Sequence, residues 1–128
     1  MKLAANIAGG LLGLLFVVFG LIYFLKLIPM PPPPPEGSPP ALFMGAFVAT
    51  GYLNFVKAME MLGGVLVAIP RTRNFGLLVL GPIIVNILAF HIFIMEGAGL
   101  FDPPLILITL LAAFLLWSGR KAFARLAG

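Results

Sequence analysis

The chain has 128 residues, of which 62% are hydrophobic and only 9% are charged. Its mean hydropathy of +1.16 is far above that of a soluble domain, and a soluble protein of this length has too little interior to bury that much apolar surface. It has no cysteine, which excludes disulfides, thiolate metal sites and cysteine redox chemistry within the chain. We therefore predict an all-α polytopic membrane protein that forms a single membrane domain over residues 1–128.

Four apolar stretches are candidates to cross the bilayer, whose apolar core is spanned by about 20 helical residues. They cover residues 3–28, 52–69, 75–95 and 104–118, and the last is the shortest. Lys2 before the first stretch gives it some likeness to a signal peptide. The stretch is longer than a signal-peptide core and has no small-residue cleavage site before the prolines. We therefore expect it to remain as the first helix of a four-helix transmembrane bundle.

The first predicted helix has one face of small residues. Gly9 and Gly13 are four positions apart, and Gly20 lies seven positions further on. Such a face lets a neighbouring helix backbone approach closely, although glycine is also simply common in membrane helices. Tyr23 continues this face, and Lys26 is placed where its ammonium can extend from the helix end to the headgroups.

A proline-rich loop over residues 29–40 follows, and it contains five consecutive prolines. This composition imposes a stiff polyproline II conformation, which we interpret as a spacer on the outer surface in preference to a docking motif. Residues 41–51 are apolar but too few to span a bilayer. If they continued into the second span, the helix would be about 43 Å long. We expect a short re-entrant or interfacial helix that breaks near Thr50 and Gly51.

The basic residues indicate the orientation of the chain. They precede the first span, lie between the second and third spans, and follow the fourth, at Lys2, Arg71, Arg73, Arg120, Lys121 and Arg125. With four spans these positions are all on one side, so the positive-inside rule predicts cytoplasmic termini and a proline-rich loop on the outer side. The net charge of +4 is thus explained by topology, and we expect a lipid bilayer and no nucleic acid as its partner.

The second predicted helix carries a polar stripe. Asn54, Lys57 and Glu60 follow one another at intervals of three, and the small residues Gly63 and Gly64 come next. A charged side chain in a bilayer costs at least about 2.5–3.5 kcal/mol, and pairing between Lys57 and Glu60 reduces that cost. The pair is either structural, setting helix register, or functional, as intramembrane ionisable groups usually are. We favour the functional interpretation.

The third predicted helix has Gly81–Pro82, which predicts a kink, followed by Asn86 and His91. These two side chains are about 140° apart on a straight helix, so they face one spot only if the helix is distorted. His91 is the single histidine, which argues against a bis-histidine haem, and we predict no metal site and no covalently bound cofactor. The sequence identifies no catalytic residue. The predicted polar cluster, a candidate ligand or proton site, comprises Tyr23, Asn54, Lys57, Glu60, Asn86 and His91.

Three segments together resemble the DoxX-like family of small bacterial four-helix membrane proteins. They are GLLFVVFGLIYFLKLIPMP in the first helix, ATGYLNFVKAMEMLGGVLVAI in the second, and LGPIIVNILAFHIF in the third. The resemblance implies a four-helix bundle in the bacterial cytoplasmic membrane, with family polar positions at Lys57, Glu60, Pro82, Asn86 and His91. Some relatives are subunits of a thiosulfate:quinone oxidoreductase and others are associated with oxidative-stress complexes, so it implies function only by analogy.

Three functions follow as hypotheses. The first is an accessory subunit of a membrane redox or respiratory assembly, which docks other subunits and contributes a quinone-sized pocket without being catalytic on its own. The second is a scaffold or binding protein, alone or as a homo-oligomer, whose Lys57–Glu60 pair is structural. The third is a small transporter or lipid-handling protein, which is weakest because the chain lacks the paired broken helices typical of transporters.

Overall fold

The computed structural model describes residues 2–128, and over this range the chain forms helices and no strand. The α-helices are α1 (Lys2–Leu25), α2 (Pro39–Ala49), α3 (Tyr52–Ala68), α4 (Arg73–Ala89), α5 (Pro103–Ser118) and α6 (Arg120–Ala124). A 3₁₀ turn (Pro70–Thr72) precedes α4, a π-helical turn (Phe90–Ile94) extends it, and a second 3₁₀ turn (Arg125–Ala127) follows α6. The all-α prediction is therefore confirmed.

Two helical segments are long and apolar enough to cross a membrane individually: Lys2–Leu25 and Pro70–Ile94. The other two long helices, α3 and α5, are shorter, with 17 and 16 residues. Each of them is joined to a short helix through a sharp bend, of 78° between α2 and α3 and 70° between α5 and α6. Counting each bent pair as one span brings the number of candidate spans from two to four, which is compatible with a membrane protein.

The four long helices pack in the order α1, α3, α4, α5, and α5 closes back onto α1. The beginning of α1, the C-terminal segment and the α3–α4 turn lie at one end, which we name the termini end. The proline-rich loop and the α4–α5 loop lie at the other, the loop end. Most of the buried side chains lie in the half nearer the termini end. The core is formed by Ala5, Ala8, Leu12, Phe16, Val67, Leu77, Leu80, Ile84, Ile108, Ala112 and Leu115.

Glycines hold α1 and α3 close together. A β-carbon on Gly13 would overlap the carbonyl oxygen of Gly64, and one on Gly64 would lie 3.0 Å from the carbonyl oxygen of Gly13. Further along the same interface, a β-carbon on Gly20 would overlap the side chain of Met61. The two backbones are therefore in direct contact, and any larger side chain at Gly13 would push the two helices apart.

The α3–α4 interface also depends on a small residue. Gly63 is buried, and a β-carbon there would lie 2.7 Å from the Leu80 side chain of α4. Adjacent glycines of α3 thus serve two different neighbours, because Gly64 faces α1 and Gly63 faces α4. This places α3 between the two segments that are long enough to span a membrane individually.

The break predicted near Thr50 and Gly51 is present. Ser38 caps α2 by accepting a hydrogen bond from the Ala41 amide at 3.4 Å, and α2 ends at Ala49. Gly51 then adopts φ = 80°, a left-handed conformation that glycine reaches without steric cost. No residue of α2 is buried, and aromatic side chains attach this helix to α3 and to the π-helical turn.

One predicted boundary differs from the structure, and one distortion of a helix was not predicted. The first helix ends at Leu25, three residues before the predicted position, because Lys26 adopts φ = 53° and leaves the right-handed helical region. In the third predicted helix, Pro82 lies inside α4 as expected. The wider π-helical turn occurs further along, at Phe90–Ile94, where the sequence has no proline to indicate it.

Candidate functional site

A polar contact joins α1 to α3 near the loop end. The hydroxyl of Tyr23 donates a hydrogen bond to Asn54 Oδ1 at 2.7 Å. Tyr23 lies one helical turn beyond Gly20, so the close approach of the two backbones brings the tyrosine ring within reach of α3. The amide nitrogen of Asn54 is left as a donor, and the tyrosine oxygen is left as an acceptor.

The Lys57–Glu60 pair forms within α3. Lys57 Nζ lies 3.7 Å from Glu60 Oε2, an i, i+3 ion pair. The two partners differ in exposure, since the Glu60 side chain is only 8% exposed while the Lys57 side chain is 25% exposed. Lys57 Nζ also lies 5.7 Å from the centre of the Tyr23 ring, within the range of a cation–π interaction. The lysine is thus held between a carboxylate and an aromatic face.

A groove opens beside this pair at the loop end. Its volume is about 580 Å³, within the range of small-molecule sites. The walls are mostly apolar, and the polar groups that face it come from a tyrosine and two lysines. The groove is lined by Phe19, Ile22, Tyr23, Lys26, Ile28, Pro29, Met30, Pro31 and Lys57.

The structure brings four of the six predicted cluster residues together: Tyr23, Asn54, Lys57 and Glu60. Asn86 is exposed, and its amide donates to the Pro82 carbonyl of its own helix at 2.8 Å. His91 Nδ1 lies 2.8 Å from the Ile87 carbonyl oxygen, to which it donates because a carbonyl only accepts. Asn86 and His91 therefore bond one turn earlier in their own helix, and no hydrogen bond among residues 2–128 joins either of them to Lys57 or Glu60.

The sequence identified Arg73 only as one of the basic residues and did not predict the contacts of its side chain. Its guanidinium donates from Nε to the Val67 carbonyl at 3.1 Å and from Nη1 to Asn6 Oδ1 at 3.1 Å. Nη2 is buried without a hydrogen-bond partner among residues 2–128. A β-carbon on Gly9 would lie 2.5 Å from Nε, so this glycine provides the space for the guanidinium. The sequence feature that could have indicated this contact is the spacing of Asn6 and Gly9, which are three positions apart in α1.

The cluster at the loop end can hold a small polar group against an apolar wall. Lys57 has three N–H donors, and Glu60 is an acceptor next to it, so hydrogen bonding and proton exchange are both available. Among residues 2–128, no three His, Asp or Glu side chains are grouped as a metal site requires. The chemistry of the site is therefore that of a cation–carboxylate pair beside an apolar groove.

The chain was compared with protein-family models, with curated proteins and with solved structures, and none of them matches it. The resemblance to the DoxX-like family thus rests on the three sequence segments alone.

Proposed function

We propose that the chain is a DoxX-like four-span membrane protein that serves as an accessory subunit of a membrane redox assembly and holds a quinone-sized ligand in the loop-end groove. The observation that carries the proposal is the position of Lys57. Lys57 lines a mostly apolar groove of about 580 Å³, and its ammonium is paired with the buried carboxylate of Glu60.

The residues of the groove fit a quinone in chemical character. A quinone has a flat ring that suits apolar and aromatic contacts, which Phe19, Ile22 and Tyr23 supply. Its carbonyl oxygens accept hydrogen bonds, for which Lys57 and Lys26 are charged donors in the groove wall. A bound quinone supplies electron-transfer chemistry that no side chain of this protein provides. The protein binds and orients the ring, and Glu60 pairs with Lys57 from within the same helix.

In this proposal four spans cross the bacterial cytoplasmic membrane, with both termini in the cytoplasm and the proline-rich loop outside. The loop from Lys26 to Pro31 forms one wall of the groove, so its stiffness limits the width of the opening. Helix α2, which is apolar and has no buried residue, lies against lipid or against another subunit of the assembly.

The test is the quinone content of the protein after gentle extraction from its native membrane. Lys57→Met removes one charged donor, and we expect it to lower retained quinone by about tenfold or more, as the loss of one charged hydrogen bond predicts. Asn86→Ala is the matched control, because Asn86 is exposed and bonds only to its own helix. Wild-type protein that carries neither quinone nor redox subunits would contradict the proposal, as would equal retention by the Lys57 variant.

A second candidate is a non-catalytic scaffold in which the ion pair is structural. The hydrogen bond from Tyr23 to Asn54 favours it, because this contact links two helices directly. The Lys57–Glu60 pair lies within a single helix, so it sets helix register only by fixing Lys57 against the Tyr23 ring. Under this candidate the wild-type protein co-purifies with ordinary lipid or a protein partner and with no quinone.

A further inference from the structure

Charge is strongly segregated between the two ends of the molecule. Six of the eight basic residues belong to the termini end, at Lys2, Arg71, Arg73, Arg120, Lys121 and Arg125. All four acidic residues lie in α3 or at the loop end, at Glu36, Glu60, Glu96 and Asp102. The termini end is thus cationic, with no carboxylate side chain to neutralise it.

The C-terminal segment extends across that end. The chain bends by 70° between α5 and α6, so residues 120–127 turn away from the axis of α5. Phe123 packs against the buried core and holds the segment in place. A β-carbon on Gly119 would lie 3.0 Å from Asn74 Oδ1, so the bend lies directly beside the beginning of α4, where Arg71 and Arg73 are found.

One cation of this segment has a defined orientation. The guanidinium carbon of Arg120 lies 4.4 Å from the centre of the Trp117 ring, and Nη1 donates to the Trp117 carbonyl at 2.8 Å. A guanidinium has five N–H donors, so the remaining ones are free to bind an anion. Lys121 and Arg125 are exposed on the same short segment.

We propose that the segment 117–127 is a binding surface for the phosphate headgroups of anionic phospholipids. The charges complement a phosphate layer, and the large exposed side chains Trp117 and Leu126 provide apolar contacts at the depth of the headgroups, where tryptophan is enriched. A lipid offers both chemistries at once, whereas a soluble anion offers only the charge. This surface lies at the end opposite the groove, so lipid binding there does not depend on any redox role.

The test uses the full-length protein in mixed micelles that contain equal amounts of phosphatidylglycerol and phosphatidylcholine with identical acyl chains. Native mass spectrometry then measures the ratio of the two lipids retained. The wild-type protein is expected to prefer phosphatidylglycerol. The triple change Arg120→Gln, Lys121→Gln and Arg125→Gln is expected to reduce the preference by about fivefold for each charge removed, the usual strength of a basic residue at an anionic surface.

The control keeps the charge and exchanges the residue type: Lys121→Arg with Arg125→Lys is expected to retain the preference. If the triple variant does not fold, Arg125→Gln alone, at an exposed position, gives the smaller loss. Equal retention of both lipids by the wild-type protein would overturn the proposal, as would an unchanged preference in the triple variant. Displacement of phosphatidylglycerol by inorganic phosphate at matched concentration would also overturn it, because the surface would then be a site for free phosphate.

Discussion

At the residue scale, the ion pair of α3 is asymmetric. Glu60 is buried and Lys57 is part of the groove wall, so the removal of Lys57 and the removal of Glu60 have different consequences. Without Lys57, a buried carboxylate lies unpaired in an apolar bundle. Without Glu60, a partly exposed ammonium still has the Tyr23 ring beside it and can extend toward the headgroups. The burial of the partner that remains therefore decides the cost of each removal.

We predict that Lys57→Met destabilises the protein by about 2–4 kcal/mol, the cost of leaving one member of a buried pair unpaired, and that Glu60→Leu destabilises it less. The double variant is expected to recover most of this loss, because apolar residues of similar volume replace a buried pair at little cost. Reversible unfolding in detergent measures all three. A double variant as unstable as the Lys57 single variant would contradict the assigned geometry, and loss of quinone from a stable double variant separates ligand binding from structure.

At the element scale, the contact between α1 and α3 depends on bare backbone at a few positions. Gly13 and Gly64 meet backbone to backbone, and Gly20 makes room for Met61. Gly10, which follows Gly9 in the sequence, has no atom of a neighbouring helix within 4 Å of the place where its β-carbon would lie. The four glycines of α1 therefore differ in what they do, although they are identical in the sequence.

We predict that Gly13→Ala lowers stability by about 1–3 kcal/mol, since the added methyl group must separate two packed helices. Gly10→Ala is the matched control, and we expect it to be neutral or to stabilise by up to about 1 kcal/mol through its better helix propensity. Thermal unfolding of both variants in the same detergent gives the comparison. Equal effects at the two positions would show that α1 and α3 do not cross at Gly13 and Gly64.

At the scale of the whole molecule, the number of spans determines the side of the membrane on which each loop lies. With four spans, Glu36 and Glu96 share one side, and Arg71 and Ala127 share the other. With only the two individually long segments as spans, Arg71 and Glu96 exchange sides. The chain has no cysteine, so single introduced cysteines can be labelled without background.

We predict that Glu36→Cys and Glu96→Cys react with a membrane-impermeant thiol reagent added outside intact cells. Arg71→Cys and Ala127→Cys are expected to react only after the membrane is permeabilised. All four positions are exposed, so accessibility reports on the side of the membrane and not on burial. Reaction of Arg71→Cys in intact cells, with protection of Glu96→Cys, would indicate two spans.

Local sequence properties were sufficient to predict the helical class, the break at Thr50–Gly51 and the polar stripe of α3. Hydropathy, glycine conformation and spacing along a helix act within a few neighbouring residues, so they can be inferred without knowing the fold. The π-helical turn at Phe90–Ile94 and the left-handed Lys26 could not be inferred in this way, because the residues at these positions have no intrinsic preference for such conformations.

By itself, the sequence determined that the chain is helical and apolar, that its charges are segregated, and that Asn54, Lys57 and Glu60 share one helix face. Only the tertiary structure decided which side chains meet: Tyr23 joins Asn54 and Lys57, Asn86 and His91 bond within their own helix, and Arg73 fills the space left by Gly9. The physical reason is that contacts between helices depend on their rotation and crossing, which the packing of many side chains sets together.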